Sequence, residues 1–94
     1  MAKHIFPIGT VVLLKGATKR VMICGRFQKR ERDDTLYDYS GCPFPEGLNN
    51  PRQLVLFQHE DVAQLFFVGC QDQEELLYRE ELRKRLEAYQ NEQA

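Results

Sequence analysis

A short proline-rich segment near the middle of the chain limits what the sequence can fold into. Residues 42–47 contain two prolines and one glycine. Because proline fixes φ and lacks a backbone N–H, we expect this segment to be excluded from a helix and from a central strand. Phe44 stands between the two prolines, which predicts an ordered loop that presents an aromatic side chain.

Residues typical of β-strands occupy the chain on both sides of this loop. Runs rich in β-branched and aromatic residues, bounded by turn residues, are typical of strands. Five such runs predict strands at residues 8–14, 20–27, 36–41, 53–57 and 65–69. Several of these runs are apolar at successive positions, so both faces of the sheet need cover, and the C-terminal segment is the candidate.

Two polar segments separate these strands. Residues 28–34 carry seven polar or charged side chains and predict a solvated loop between the second and third strands. Residues 59–63 are too few for a full helix and predict a single helical or 3₁₀ turn before the fifth strand. In that turn we expect Val62 to point into the core.

The chain ends in a segment that predicts one α-helix. Residues 73–90 contain neither glycine nor proline, and Asp72 precedes Glu75 by three positions as in a capping box. Apolar side chains recur at helical spacing, namely Tyr78, Leu82, Leu86 and Tyr89, with Leu77 beside them. This stripe either packs on the protein's own sheet or docks in part on a partner.

Together these elements predict one α+β domain over residues 1–94. We expect a sheet in residues 5–70 and a helix in residues 72–90. Five short strands, with one helical turn before the last, match a small antiparallel sheet that is strongly bent or closed as an SH3-like barrel. A length of 94 residues, with 43% hydrophobic and 29% charged, is typical of one folded domain.

Charge is distributed unevenly, although the formal net charge is only −1. Residues 1–32 hold eight Lys or Arg and one acid, whereas residues 33–94 hold five Lys or Arg and thirteen acids. Either the two halves neutralise each other across the fold, or a basic surface binds nucleic acid or an acidic protein. The cations of such a surface would be Lys15, Lys19, Arg20, Arg26, Lys29 and Arg30.

The cysteines and histidines do not predict a metal or cofactor site. Cys24, Cys42 and Cys70 lie far apart, and neither His4 nor His59 completes the ligand spacing of a zinc site. An odd number of cysteines indicates free thiols in a reducing compartment. We therefore expect no metal and no cofactor.

An enzymatic function is not expected either. Cys42, His59 and Asp61 supply the residue types of a thiol triad. Asp61 is only two residues from His59, however, and no motif marks an oxyanion hole. A packing role for Cys42 and a turn-stabilising role for His59 are the favoured interpretations.

The sequence predicts a cytoplasmic location. Residues 1–7 lack the apolar core and the cleavage site of a signal peptide. No apolar run reaches the roughly 20 residues that a membrane-spanning helix needs.

Five motifs between Pro7 and Gly69 carry a family resemblance. They are PIGTVVLLKG (7–16), MICGR (22–26), YDYSGCPFPEG (37–47), FQHEDV (57–62) and FVG (67–69). Together they resemble a family of small cytoplasmic proteins of Gram-positive bacteria that is catalogued as a domain of unknown function. Its members are encoded beside LXG-type toxins and small helical WXG-like proteins of the type VII (Esx) secretion system.

This resemblance implies a non-enzymatic accessory role. The protein would bind a cognate LXG toxin as a chaperone or targeting factor, with the small WXG-like proteins as further partners. The family supplies no catalytic residue to transfer, and the helix after Gln71 matches it in character only.

Two groups of side chains are the candidate partner contacts. The first lies on or beside the proline-stiffened loop, which presents aromatic groups at low entropic cost: Tyr37, Tyr39, Phe44 and Pro45. The second is on the outer face of the helix: Tyr78 and Tyr89. Two alternatives stay open, namely an SH3-like nucleic-acid-binding module and a homodimer formed through the helix or an edge strand.

Overall fold

The computed structural model describes residues 5–93 and has the α+β fold that the sequence predicts. A five-stranded antiparallel sheet is followed by one C-terminal helix. His4 and most of the segment considered for an export signal lie outside the described residues, as does Ala94.

All five predicted strands are present. They are β1 (Val11–Leu14), β2 (Val21–Arg30), β3 (Thr35–Pro43), β4 (Val55–Phe57) and β5 (Val62–Phe67). Short 3₁₀ turns at Pro51–Gln53 and His59–Asp61 precede β4 and β5, and the helix α1 spans Gln73–Gln93. The second turn confirms the turn predicted at residues 59–63, but it ends at Asp61, and Val62 and Ala63 belong to β5. Val62 packs against the core as predicted.

The sheet is open. Its strand order is β4-β3-β2-β1-β5, and no hydrogen-bonded pair joins β4 to β5 within residues 5–93. Of the two predicted forms, the structure therefore has the bent sheet and not the closed barrel. The bend has a local cause in β2, whose pairing with β3 shifts register between Ile23 and Gly25. A Cβ atom on Gly25 would lie 2.4 Å from the Ser40 hydroxyl, so glycine is required at this crossing.

The sequence predicts a solvated loop at residues 28–34, but the structure has a loop over only part of this segment. Its first three residues continue β2, with Arg30 opposite Thr35, and only the four residues 31–34 form the turn. Arg30 pairs with Asp33, whose carboxylate also accepts a hydrogen bond from the Thr35 backbone N–H. Strand pairing extends through polar residues here because this end of the hairpin is largely exposed.

Cys42 and Pro43 correct the prediction that the proline-rich segment is excluded from a central strand. Both belong to β3, and Pro43 lies opposite Val21 of β2. Pro43 is the last residue of the strand, so its missing N–H does not interrupt the ladder. The loop proper begins at Phe44, whose backbone N–H donates to the Arg20 carbonyl at 3.0 Å.

The core lies over the centre of the sheet. Its fully or nearly buried apolar residues are Ile5, Val12, Val21, Ile23, Tyr39 and Phe57. Phe6, Leu14, Phe27 and Val62 pack against this cluster. The N-terminal segment thus covers part of the sheet, whereas the sequence analysis predicted that only the C-terminal helix would do so.

The predicted helix is confirmed and continues three residues beyond Gln90. Asp72 Oδ1 accepts the Glu75 backbone N–H at 2.9 Å, as a helix cap should. Leu82 is 5% exposed and Leu86 and Tyr89 are half-buried, whereas Leu76, Leu77 and Tyr78 are exposed. The helix therefore covers the sheet only in part. Within residues 5–93 no helix is long and apolar enough to cross a membrane.

Candidate partner-binding surface

The start of α1 is attached to β2 by a buried ion pair. Arg26 Nη1 and Nη2 donate to the two carboxylate oxygens of Glu75 at 2.6 and 2.9 Å, and the side chains are only 4% and 11% exposed. Arg79, one helical turn on, donates to the same carboxylate at 3.2 Å. Burial alone would raise the pKa of Glu75, but the hydrogen bonds and charges of Arg26 and Arg79 outweigh it and hold the pKa below its usual value. These contacts fix where the helix begins relative to the sheet.

The predicted contact aromatics share an arrangement that the sequence did not indicate. Four of them lie against a cation from β2 or from the residue just before it. The distances from cation to ring centroid are 5.1 Å for Arg30 and Tyr37, 5.0 Å for Arg20 and Phe44, 5.5 Å for Arg26 and Tyr78, and 5.7 Å for Lys29 and Tyr89. Such cation–π contacts stabilise the loop and the helix on β2. Each of these rings therefore already has at least one internal partner, and Tyr78 has a second in Arg85.

Tyr39 lies in the core, apart from the other candidate contacts. Its side chain is fully buried. The hydroxyl accepts the Phe6 backbone N–H at 3.1 Å and lies 2.6 Å from Nδ1 of His59. A side chain with no exposed area cannot touch a partner in this conformation, so Tyr39 forms no part of the surface described below.

The basic residues considered for nucleic acid are mostly neutralised by acids. Lys19 lies 2.5 Å from Glu46, and Arg26 is held by Glu75. Lys29 and Arg30 pair with Asp34 and Asp33 at the hairpin turn, where the hydrogen bonds from Arg30 and from the Thr35 backbone lower the pKa of Asp33. Each of these pairs joins the basic first third of the chain to its acidic remainder, which favours mutual neutralisation over a basic surface.

The three residue types of a thiol triad have other neighbours. The His59 ring lies against Tyr39 and Phe6. Cys42 is buried in β3 instead. Burial raises the pKa of the Cys42 thiol, and the neighbouring Cys24 adds to the shift, which disfavours the thiolate form. Within residues 5–93 no group of three His, Cys, Asp or Glu side chains could hold a metal ion.

A groove lies between α1 and the sheet. Its volume is about 580 Å³. Apolar side chains from the sheet side and from the helix line it: Ile5, Phe27, Leu36, Leu76 and Leu86. Its polar lining includes Glu60, Glu80, Glu87, Arg79 and Arg83, and Arg83 forms ion pairs with both Glu80 and Glu87. No sequence signal marks this groove, because it exists only where the helix stands off the sheet.

Three consecutive apolar residues are exposed near the N-terminal end of α1. Leu76 lines the groove, and Leu77 and Tyr78 follow it, with Leu77 the most exposed at 66%. The helical periodicity placed Tyr78 in the apolar stripe and Leu77 beside it. The structure leaves both side chains exposed, and at this end of the helix Glu75 contacts β2 through Arg26.

The proline-rich loop meets the edge strand β5 through one arginine. The Arg20 guanidinium lies 5.0 Å from the Phe44 ring centroid and 5.2 Å from that of Phe66. Phe44 is half-buried by this stack, and Pro45 beside it is exposed. Sequence analysis identified the loop but not its contact with β5.

Comparison with known proteins gives a family without a described activity. Residues 5–77 match the model of the family described as Domain of unknown function (DUF4176), and the chain belongs to this family. The match covers the whole sheet and ends at Leu77, within the first turns of α1. No curated protein and no solved structure matches the chain.

Proposed function

We propose that this DUF4176 member is a non-enzymatic binding protein that escorts a cognate LXG-type toxin in the cytoplasm and delivers it to the type VII secretion system. The observation that carries the proposal is the run of exposed apolar side chains at Leu76, Leu77 and Tyr78, of which Leu76 lines the groove between α1 and the sheet. Exposed apolar groups next to a concave surface are typical of protein-binding sites.

The groove suits an amphipathic helix of the toxin. Its lining is apolar at Phe27, Leu36 and Leu86, which favours apolar side chains inserted at helical spacing. Glu60, Glu80 and Glu87 lie along it, and Arg79 and Arg83 are the cations among them. A partner helix with lysine or arginine beside its apolar stripe complements this balance of charge.

The proline-rich loop offers a second contact. Phe44 is oriented by Arg20, and Pro45 is exposed next to it. An aromatic group held in place before binding loses little entropy on association, which favours it as an anchor. The toxin would then span from the helix to the loop, or bind them with separate segments.

Co-expression with the LXG-type toxin encoded beside the gene tests this proposal. The wild-type protein should retain the toxin in an affinity pull-down and elute with it in size-exclusion chromatography with light scattering. The Leu77→Lys variant should retain at least tenfold less toxin, because its charge would enter the apolar contact. Ala88→Lys adds the same charge at another exposed helix position and should retain toxin normally.

The outcomes separate binding from folding. Leu77 is largely exposed, so both lysine variants should keep the wild-type thermal melt. A wild-type protein that does not bind the toxin, either with or without the WXG-like proteins, would refute the proposal.

The loop contact has its own variant. Phe44→Ala should weaken toxin retention while the circular dichroism melt falls by only a few degrees. If the melt collapses, Phe44 is a core residue and the loop is not a contact.

A further inference from the structure

We infer that the β5 edge of the sheet is a self-association surface, on which two copies of this chain pack their β5 strands side by side and antiparallel about a twofold axis. This surface differs from the groove and the helix residues of the proposed toxin contact, and it adjoins the loop contact where Arg20 lies between Phe44 and Phe66. The inference is tested without toxin, so its failure is distinguishable from failure of the proposed function.

β5 is an edge strand without the charges or prolines that commonly protect one. Within residues 5–93 it pairs with β1 alone, and residues 62–68 contain no charged residue, proline or glycine. Edge strands in proteins commonly carry charges or prolines that prevent further association. Leu65, Phe66, Phe67 and Val68 are instead 39% to 62% exposed. An uncharged apolar edge of this kind indicates that something covers it.

The apolar residues lie on both faces of the edge. Val11 and Val12 are neighbours in β1, so their side chains point to opposite faces of the sheet. Phe67 is opposite Val11 and Leu65 is opposite Val12, which places these two exposed side chains on opposite faces as well. A helix lying on the sheet would cover only one of them. A second sheet alongside β5 covers both.

A second copy is the occupant that fits these features. Each copy brings the same two-faced apolar edge, so each supplies the cover that the other needs. Residues 62–68 are themselves uncharged, so no like charges of the strand meet across the axis. The exposed parts of residues 65–68 and of Ile8 amount to roughly 400 Å² of apolar surface on the scale of such side chains. A standard interface takes about 800 Å² per partner, a little over half of it apolar.

Side chains should carry this contact more than a backbone ladder. Between Val11 and Val12 the pairing advances two residues along β5, which leaves Phe66 as a bulge, and Ala63 is bulged in the same way. Bulges increase the twist of a strand and shorten any regular pairing along its outer side. Leu65 stands at the middle of residues 62–68 and so lies nearest the proposed axis.

Light scattering on the full chain, across a dilution series and without toxin, tests the inference. The wild type should have twice the chain mass of 11.1 kDa. Leu65→Lys and Leu65→Glu, each alone, should reduce the mass to that of one chain, because like charges meet near the axis. Mixing the two variants should restore the dimer through their opposite charges. Val55→Lys places the same charge on the other edge strand, β4, and should leave the dimer intact.

Each outcome decides the matter. A monomeric wild type, or a dimer that both Leu65 variants preserve, overturns the inference. If Leu65→Lys does not fold by circular dichroism, Phe67→Lys replaces it, because Phe67 is the most exposed large apolar residue of β5. A dimer that Val55→Lys dissociates would place the interface at β4 and also overturn the inference.

Discussion

The β2 side and the β5 side of the sheet both carry aromatic residues, but these residues differ in how far neighbouring side chains cover them. Along β2, tyrosines of the hairpin and helix lie over Arg26, Lys29 and Arg30, and the acids Glu75, Asp34 and Asp33 neutralise these cations. Along β5, Phe66 meets Arg20, while Phe67 and Leu65 are exposed on opposite faces. Aromatic content alone therefore does not mark a binding surface. Aromatic or aliphatic groups that the fold leaves exposed do so better.

The two edges of the sheet show the same contrast. β4 has three residues and is bounded by 3₁₀ turns on both sides, so it offers little edge to pair with. β5 has six residues and continues the apolar run to Val68. The comparison predicts that substitutions on the β2 side change stability strongly, whereas substitutions on the β5 side change association.

The largest loss of stability is expected for Glu75→Gln. The substitution leaves the buried Arg26 guanidinium without its counter-charge, which typically costs about 3 kcal/mol. Urea unfolding followed by circular dichroism measures the loss. Glu74→Gln removes an exposed charge from the adjacent position and should leave the midpoint nearly unchanged. Equal midpoints for the two variants would contradict the structural role of the ion pair.

The same ion pair predicts a dependence on pH. The pKa of Glu75 in the folded protein lies below its ordinary value of 4.5, so the folded state binds fewer protons than the unfolded state near that pH. Its contribution to stability is therefore present above about pH 4.5 and is lost as the pH falls through the folded pKa. The gap in unfolding midpoint between wild type and Glu75→Gln should shrink on acidification. A gap that does not change between neutral and acidic pH would refute this.

A smaller loss is expected for Tyr39→Phe. The buried Phe6 N–H and the His59 ring lose their hydroxyl partner, which costs about 1–2 kcal/mol. Tyr37→Phe keeps the ring over Arg30 and should cost about 0.5 kcal/mol or less. Thermal melts of the two variants measure the difference, and a larger effect at Tyr37 would argue against the assignment of Tyr39 to the core.

Small effects on stability are expected on β5. Phe66→Ala removes one side of the Arg20 stack and should cost about 1 kcal/mol. Phe67→Ala, at a more exposed position, should cost less. Both are compared by urea unfolding at a protein concentration where light scattering shows monomers. A larger loss for Phe67 would mean that β5 is already covered within one copy.

Residue pattern alone predicted the type and order of the elements. The strands, the turn at residues 59–63 and the helix depend on propensities and periodicities that act over a few residues. The same local signals failed at the limits of the hairpin. Cross-strand pairing carries β2 through Arg30 and β3 through Pro43, although polarity and proline argue for loops there.

Only the tertiary structure decided which side chains are covered. Arg26 and Glu75 are separated by 49 residues and pair in the buried contact that attaches α1 to β2, whereas Leu77 and Tyr78 beside Glu75 are left exposed. Tyr37 and Tyr39 are two residues apart in β3, so strand alternation alone does not distinguish them. Tyr39 is buried because Phe6, Phe57 and His59 pack around it. The groove and the exposed β5 edge arise in the same way. A sequence pattern fixes how an element is built, whereas exposure depends on which distant elements pack against it.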